Sequence, residues 1–133
     1  MDLAADLEAL RALFATRLGQ PVDLLRTLRE PAPGELLLWP YRLEKLPDMT
    51  STPSRGGVPL PPRLRQRVHL LVLAGDTARL AHAQAIAHDH PVLGEGQRRL
   101  ILHSDSPPTE VLCALFTAAG QPMQAALALT LQD

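Results

Sequence analysis

RLRQRVHLLVLAGDTARLAHAQAIAHDHPVL, residues 63–93, is the stretch whose reading decides the fold. Val68 to Leu73 is an apolar run broken only by His69, the composition of a buried strand. Gly75-Asp76-Thr77 supplies a turn and a helix cap, Ala78 to His88 carries strong helix formers, and Pro91 is the brake. Ahead of the apolar run, Arg63, Arg65 and Arg67 fall on one face of the strand. Leu64, Gln66 and Val68 fall on the other, which Leu70 and Val72 extend. Strand, turn, helix and stop in that order make a scaffold unit, and no catalytic motif sits on it.

Working outward, Leu3, Leu7, Leu10, Phe14 and Leu18 recur at steps of three and four, and Asp2 is placed to cap. Residues 2–19 therefore read as an amphipathic helix, ended by Gly19 with Pro21 beyond. Val22, Leu24 and Leu28 fit period two while Leu25 does not, so residues 22–28 read as either a short strand or an irregular segment, and a strand is expected. After the PAPG turn at 31–34, residues 35–46 read as a strand in which Pro40 demands an edge position or a bulge. Residues 47–62, PDMTSTPSRGGVPLPP, hold five prolines and two adjacent glycines, which suits an exposed loop or arm. Beyond the central unit, residues 97–103 read as a strand around Leu100, Ile101 and Leu102, and SPPTE at 106–110 opens a helix that closes at Gly120. Met123, Ala125, Leu127, Leu129 and Leu131 then share one face of a closing strand. The expected fold is α/β or α+β: a small mixed sheet of four to five strands packed with about three helices, in a single domain over residues 1–133. If the strands near residues 70 and 100 are parallel neighbours, the helix between them crosses over right-handed.

Composition narrows the function. The chain has 133 residues, 46% hydrophobic and 20% charged, which favours a globular protein with an aliphatic core because aromatics are only 3%. Thirteen Lys+Arg against fourteen Asp+Glu leave a formal charge of −1. No overall electrostatic pull toward nucleic acid or an anionic membrane exists, and neither partner is expected. No signal peptide or membrane span is visible, since Asp2, Asp6, Glu8 and Arg11 interrupt the first apolar residues; a cytoplasmic site of synthesis is expected. The single cysteine, Cys113 in VLCALF, excludes an internal disulfide and reads as a small core residue.

Four patterns suggest chemistry, and each has a stronger structural reading. His82 and His88 are six apart and diverge on a helix, so His82 with His88-Asp89-His90 lacks the same-face spacing of a metal site. His88 and His90 suit the negative end of a helix dipole instead. His103-Ser104-Asp105 carries the letters of a hydrolase triad, but adjacent residues do not form the relay, and a turn before a helix is expected. Gly94-Glu95-Gly96 follows a helix instead of opening one, unlike a phosphate-binding loop. The arginine ridge lacks interleaved aromatics and surplus charge, which favours a solvated or subunit-contacting face over a nucleic-acid groove. No catalytic, cofactor or metal residue is assigned, and no enzyme is expected.

The segment order nevertheless resembles a known family. Leu36 to Glu44 (LLLWPYRLE), the proline-rich loop, Val58-Pro59-Leu60-Pro61 leading into Val68-His69-Leu70-Leu71-Val72, and a helix ending in His88-Asp89-His90-Pro91-Val92-Leu93 are similar to the cap or tail-terminator family of phage-tail-like contractile injection systems. Leu100 to His103, the helix PPTEVLCALFTAAGQP and the strand MQAALALTL resemble that family's closing elements. Where other members carry an Arg-Asn pair after the first long strand, this chain has Leu46-Pro47-Asp48; its loop is short and glycine-bearing, and members tend to be longer. The resemblance implies a homo-oligomeric ring, a hexamer, on the membrane-distal end of the inner tube and sheath, where it stops polymerisation and keeps the sheath attached. It implies tube and sheath proteins as partners and assembly in the cytoplasm. A ring of this kind needs complementary faces and no catalytic residue. Residues 47–62, with Met49, Arg55 and Val58, are then the arm expected to meet a neighbour or the sheath, and Arg63, Arg65 and Arg67 the ridge expected to pair with acidic residues across a subunit boundary. The competing reading is a stand-alone protein-binding adaptor or regulatory module.

Overall fold

The computed structural model of the chain describes residues 2–47, 54–56, 58–59, 65–94 and 99–133. Its elements run α1 (Leu3–Leu18), β1 (Asp23–Leu24), β2 (Leu36–Leu46), β3 (Ser54–Arg55), β4 (Val58–Pro59), β5 (Arg65–Ala74), α2 (Thr77–Asp89), β6 (Val92–Leu93), β7 (Leu100–Asp105), α3 (Thr109–Ala118) and β8 (Leu127–Gln132). Six strands form one mixed sheet in the order β1-β2-β5-β8-β7-β6, and β3 pairs with β4 separately. Three helices and a mixed sheet match expectation. The sheet has six strands, not four or five, because β1 and β6 are two-residue pieces too short to show a period. The strands near 70 and 100 are not neighbours: β8 lies between β5 and β7, antiparallel to both.

β5 sits between β2 and β8, and its alternation divides the core in two. Val68, Leu70 and Val72 face Leu7, Leu10 and Phe14 of α1 and Ala83, Ile86 and Ala87 of α2, joined by Leu129 and Leu131. Leu71 and Leu73 face the other way, onto Phe116, with Leu112 and Leu115 of α3 packed against them. The sheet is therefore a middle layer, with α1 and α2 on one face and α3 on the other. Each leucine fully removed from water contributes about 1.5–3 kcal/mol before chain entropy is counted, so the aliphatic sheet suffices without aromatic bulk.

The ends of the helices follow from their cap residues. Asp2 accepts a hydrogen bond from the Ala5 N–H at 3.3 Å, and Gly19, at φ 67°, closes α1 by donating to the Ala15 carbonyl. Asp76 accepts from the Arg79 N–H at 2.8 Å and starts α2. Gly75 just before it passes so close to the PAPG turn that a Cβ there would lie 2.2 Å from the Ala32 carbonyl oxygen.

Several local expectations are corrected. Only Asp23–Leu24 of residues 22–28 pair as a strand; the segment instead rounds the sheet edge, burying Val22 with the α1 core and Leu28 with the α3 core. The closing strand starts at Leu127, opposite Val72 of β5, and Met123 ahead of it is 48% exposed. His103-Ser104-Asp105 is the end of β7 and not a turn, because it pairs with Thr130, Leu129 and Ala128. Cys113 is exposed: Leu112 and Phe116 turn toward the sheet, which leaves the next position after Leu112 on the outer side of α3.

Candidate functional site

α3 is ten residues long and covers only part of its face of the sheet. The register across β2, β5, β8 and β7 shows where cover ends. One rung reads Trp39–Leu71–Ala128–Asp105, the next Arg42–His69–Thr130–His103, and the next Glu44–Arg67–Gln132–Ile101. Within one step the face turns from mostly apolar to mostly polar. The change coincides with a bulge: the β2–β5 register shifts between Pro40 and Arg42, so Tyr41 has no partner of its own and joins Arg42 beside His69. Pro40 satisfies both sequence conditions at once, lying next to a bulge and beyond the last β2 residue that β1 pairs.

His69 is the centre of this polar end, with a side chain 12% exposed. Its Nε2 lies 2.8 Å from Glu44 Oε2, and its Nδ1 is 3.9 Å from Asp105 Oδ2. The hydrogen bond from His69 holds the Glu44 carboxyl below the usual carboxylate range, helped by the charges of Arg42 and Arg67. Arg67 places Nη1 3.6 Å from the same Glu44 oxygen and donates from Nε to Gln132 Oε1 at 2.8 Å. Burial pushes the Tyr41 hydroxyl pKa up, and the Asp105 charge adds to that. Both imidazole nitrogens are directed at carboxylates, which suits a cross-strand tie better than a base awaiting a substrate proton.

Above this cluster opens a cavity of about 490 Å³ lined by Tyr41, His69 and Asp105 on the sheet side and Pro108, Val111 and Leu115 on the α3 side. A second hollow of about 300 Å³ shares Tyr41 and Leu115 and reaches Trp39 and Arg26. The two make a groove along α3. Its floor holds the one tryptophan and the one tyrosine of the chain, with ring centroids 5.8 Å apart. Half-buried Trp and Tyr in a groove are the residue types that anchor protein contacts.

Of the residues singled out in the sequence, Arg65 and Arg67 stand on this polar face. Arg65 Nη2 is 3.5 Å from the Asp133 carbonyl oxygen. Met49 and Arg63 lie outside the described residues, and Arg55 and Val58 are backbone partners in the β3–β4 pair. His82 and His88 are exposed on α2, and His90 Nδ1 lies 2.9 Å from the Ile86 carbonyl at its end. Among the described residues no three His, Cys, Asp or Glu side chains are grouped to hold a metal ion, and no helix is long and apolar enough to cross a membrane. Glu44, His69 and Asp105 were not foreseen as a group. They come from three strands, and only the order β2-β5-β8-β7 and the bulge bring them together.

The architecture is a mixed sheet with two helices on one face and a single short one on the other. No protein-family model matches the chain, and no curated protein sequence matches it. A cryo-EM structure of the sheath/tube terminator of an extracellular contractile injection system, PVC, in the extended state, shares the fold at a TM-score of 0.71 and 14% identity. The match covers 96% of this chain and 54% of that one, so this chain spans about half the length of the terminator it resembles. The chain has a terminator fold.

Proposed function

We propose that this chain is a structural protein that caps the tube and sheath of a contractile injection system or phage-tail-like particle, ending their polymerisation as a ring. The observation that carries the reading is the fold shared with the PVC sheath/tube terminator over 96% of the chain, in keeping with the resemblance of segment order from β2 through β8. The polar end of the sheet, with the groove beside α3, supports it, since half-buried Trp39 and Tyr41 are residue types that anchor protein contacts. In this reading the whole chain is one terminator-like domain and the ring is a hexamer. Residues 47–62, with Met49, Arg55 and Val58, form the arm that meets a neighbour, and Arg63, Arg65 and Arg67 border a subunit contact. The partners are the tube and sheath proteins of the same particle, the role is non-catalytic, and assembly takes place in the cytoplasm.

The test is the mass of the purified protein across a concentration series, by light scattering coupled to size exclusion, followed by negative-stain imaging with tube subunits. Six-fold rings, free or on tube ends, are expected. A strict monomer that leaves tube ends bare would shift the assignment to a protein-binding adaptor.

A further inference from the structure

Among the described residues, nothing pairs with the backbone edge of β2 where the groove begins. Leu25 donates from its N–H to the Leu38 carbonyl, which puts Leu38's backbone groups on the side of β2 away from β5. From that parity, Pro40 turns its donor-less nitrogen to the same side. β5 has no bulge, so Leu71, His69 and Arg67 all turn their backbone groups toward β2; past the β2 bulge Glu44, opposite Arg67, faces inward and the N–H and C=O groups of Leu43 and Lys45 point outward. β1 fills this lane only beside Leu37 and Leu38, and among the described residues nothing pairs with it from residue 40 to residue 46. Such a row of backbone groups is satisfied best by one kind of occupant, an extended chain.

The side chains along the lane select among extended chains. Arg26, Arg42 and Lys45 are exposed and make no ion pair among the described residues, while the acid between them, Glu44, is already engaged by His69 and Arg67. Leu43, 48% exposed, offers an apolar contact on the face opposite Arg42. A second copy of the same edge would bring no acid but Glu44, which His69 and Arg67 already engage, so it offers Arg42 and Lys45 no free carboxylate. We propose that residues 40–46 of β2 are a docking lane for an extended, acidic segment of another polypeptide. That segment continues the lane of β1 and sets acidic side chains beside Arg42 and Lys45 and an apolar one beside Leu43. Pro40 and the bulge limit the lane to a short strand, and Lys45 disfavours basic ones. The inference stands whether or not the chain is a terminator.

The test titrates isotope-labelled full-length protein with a short Glu-Val repeat peptide and, separately, with its Lys-Val counterpart, following backbone amide shifts. The acidic peptide is expected to shift Leu43 and Lys45, binding roughly tenfold more tightly than the basic one at low salt. The double variant Arg42→Glu with Lys45→Glu, which breaks no ion pair among the described residues, is expected to reverse that preference. Equal response to both peptides, shifts located away from β2, or an acidic preference that survives the charge reversal overturns the proposal. Edge shifts that depend on the protein's own concentration overturn it too, by making the occupant a second copy. The wild-type comparison decides the matter alone if the variant does not fold.

Discussion

The two faces of the sheet are made by the same strands at the same rungs, yet at one level the first is still largely core while the second has turned polar. At one level Leu43–Val68–Leu131–Leu102 lies on the α1–α2 face; one residue along the same strands, Arg42–His69–Thr130–His103 lies on the α3 face. Two helices cover the first face, whereas ten residues of α3 cover part of the second. The difference teaches that strand alternation here carries two separate messages. In β5, Val68, Leu70 and Val72 specify a core, while Leu71 and Leu73 specify a core at one end of the other face and Arg67 and His69 a polar surface at its other end.

The sharpest way to break this comparison is to alter neighbours on β8. Leu131→Ala, on the fully covered face, is expected to cost about 2–5 kcal/mol, and Gln132→Ala, beside it on the polar face, less than about 1.5 kcal/mol, both read by urea denaturation. Equal losses would mean that the polar end is core as well. Gly75→Ala tests the close fit where β5 leaves the sheet: the backbone of Ala32 must move, at a cost of about 1–3 kcal/mol in the same assay, and an unchanged midpoint would show that the PAPG turn is free to shift.

A smaller effect lies at the other end of β2. The hydrogen bonds from Arg29, then from the Ala32 N–H, hold the Glu35 carboxyl down to about 2, against an ordinary 4.5. A lowered folded-state pKa stabilises above the ordinary value and stops doing so as pH falls through the folded one. Wild type is therefore expected to lose part of its stability between pH 4.5 and about 2. Glu35→Gln should flatten that limb of a thermal-melt profile, and an unaltered limb would remove Glu35 from the account. The smallest change concerns the outer side of α3: native Cys113 is expected to react with a thiol reagent as fast as the denatured chain does, and slow labelling would show that something covers that side.

Much of the fold was legible because its signals are local. Leu3, Leu7, Leu10, Phe14 and Leu18 mark a helix face wherever that helix docks, Asp76 caps whatever helix follows it, and the apolar run through Leu73 is a strand in any sheet. What was misread depends on neighbours. Cys113 sits among apolar letters, but which of them turns inward depends on where α3 lies over Leu71 and Leu73. His103-Ser104-Asp105 looks like a turn until β8 is there to pair with it. Of the candidate site, the Arg65 and Arg67 face was readable from period two alone, while Glu44, His69 and Asp105 lie on three strands far apart in the chain.

The sequence by itself determined the helices, the long strands, the aliphatic core and the edge position or bulge that Pro40 required, because spacing, caps and breakers act within a few residues. Tertiary structure alone decided the order β1-β2-β5-β8-β7-β6, the meeting of Glu44, His69 and Asp105, and the stretch of β2 edge that no described residue pairs. Those depend on which strand lies beside which and on how far a ten-residue helix reaches across a sheet, and long-range pairing leaves no period in the letters of either partner.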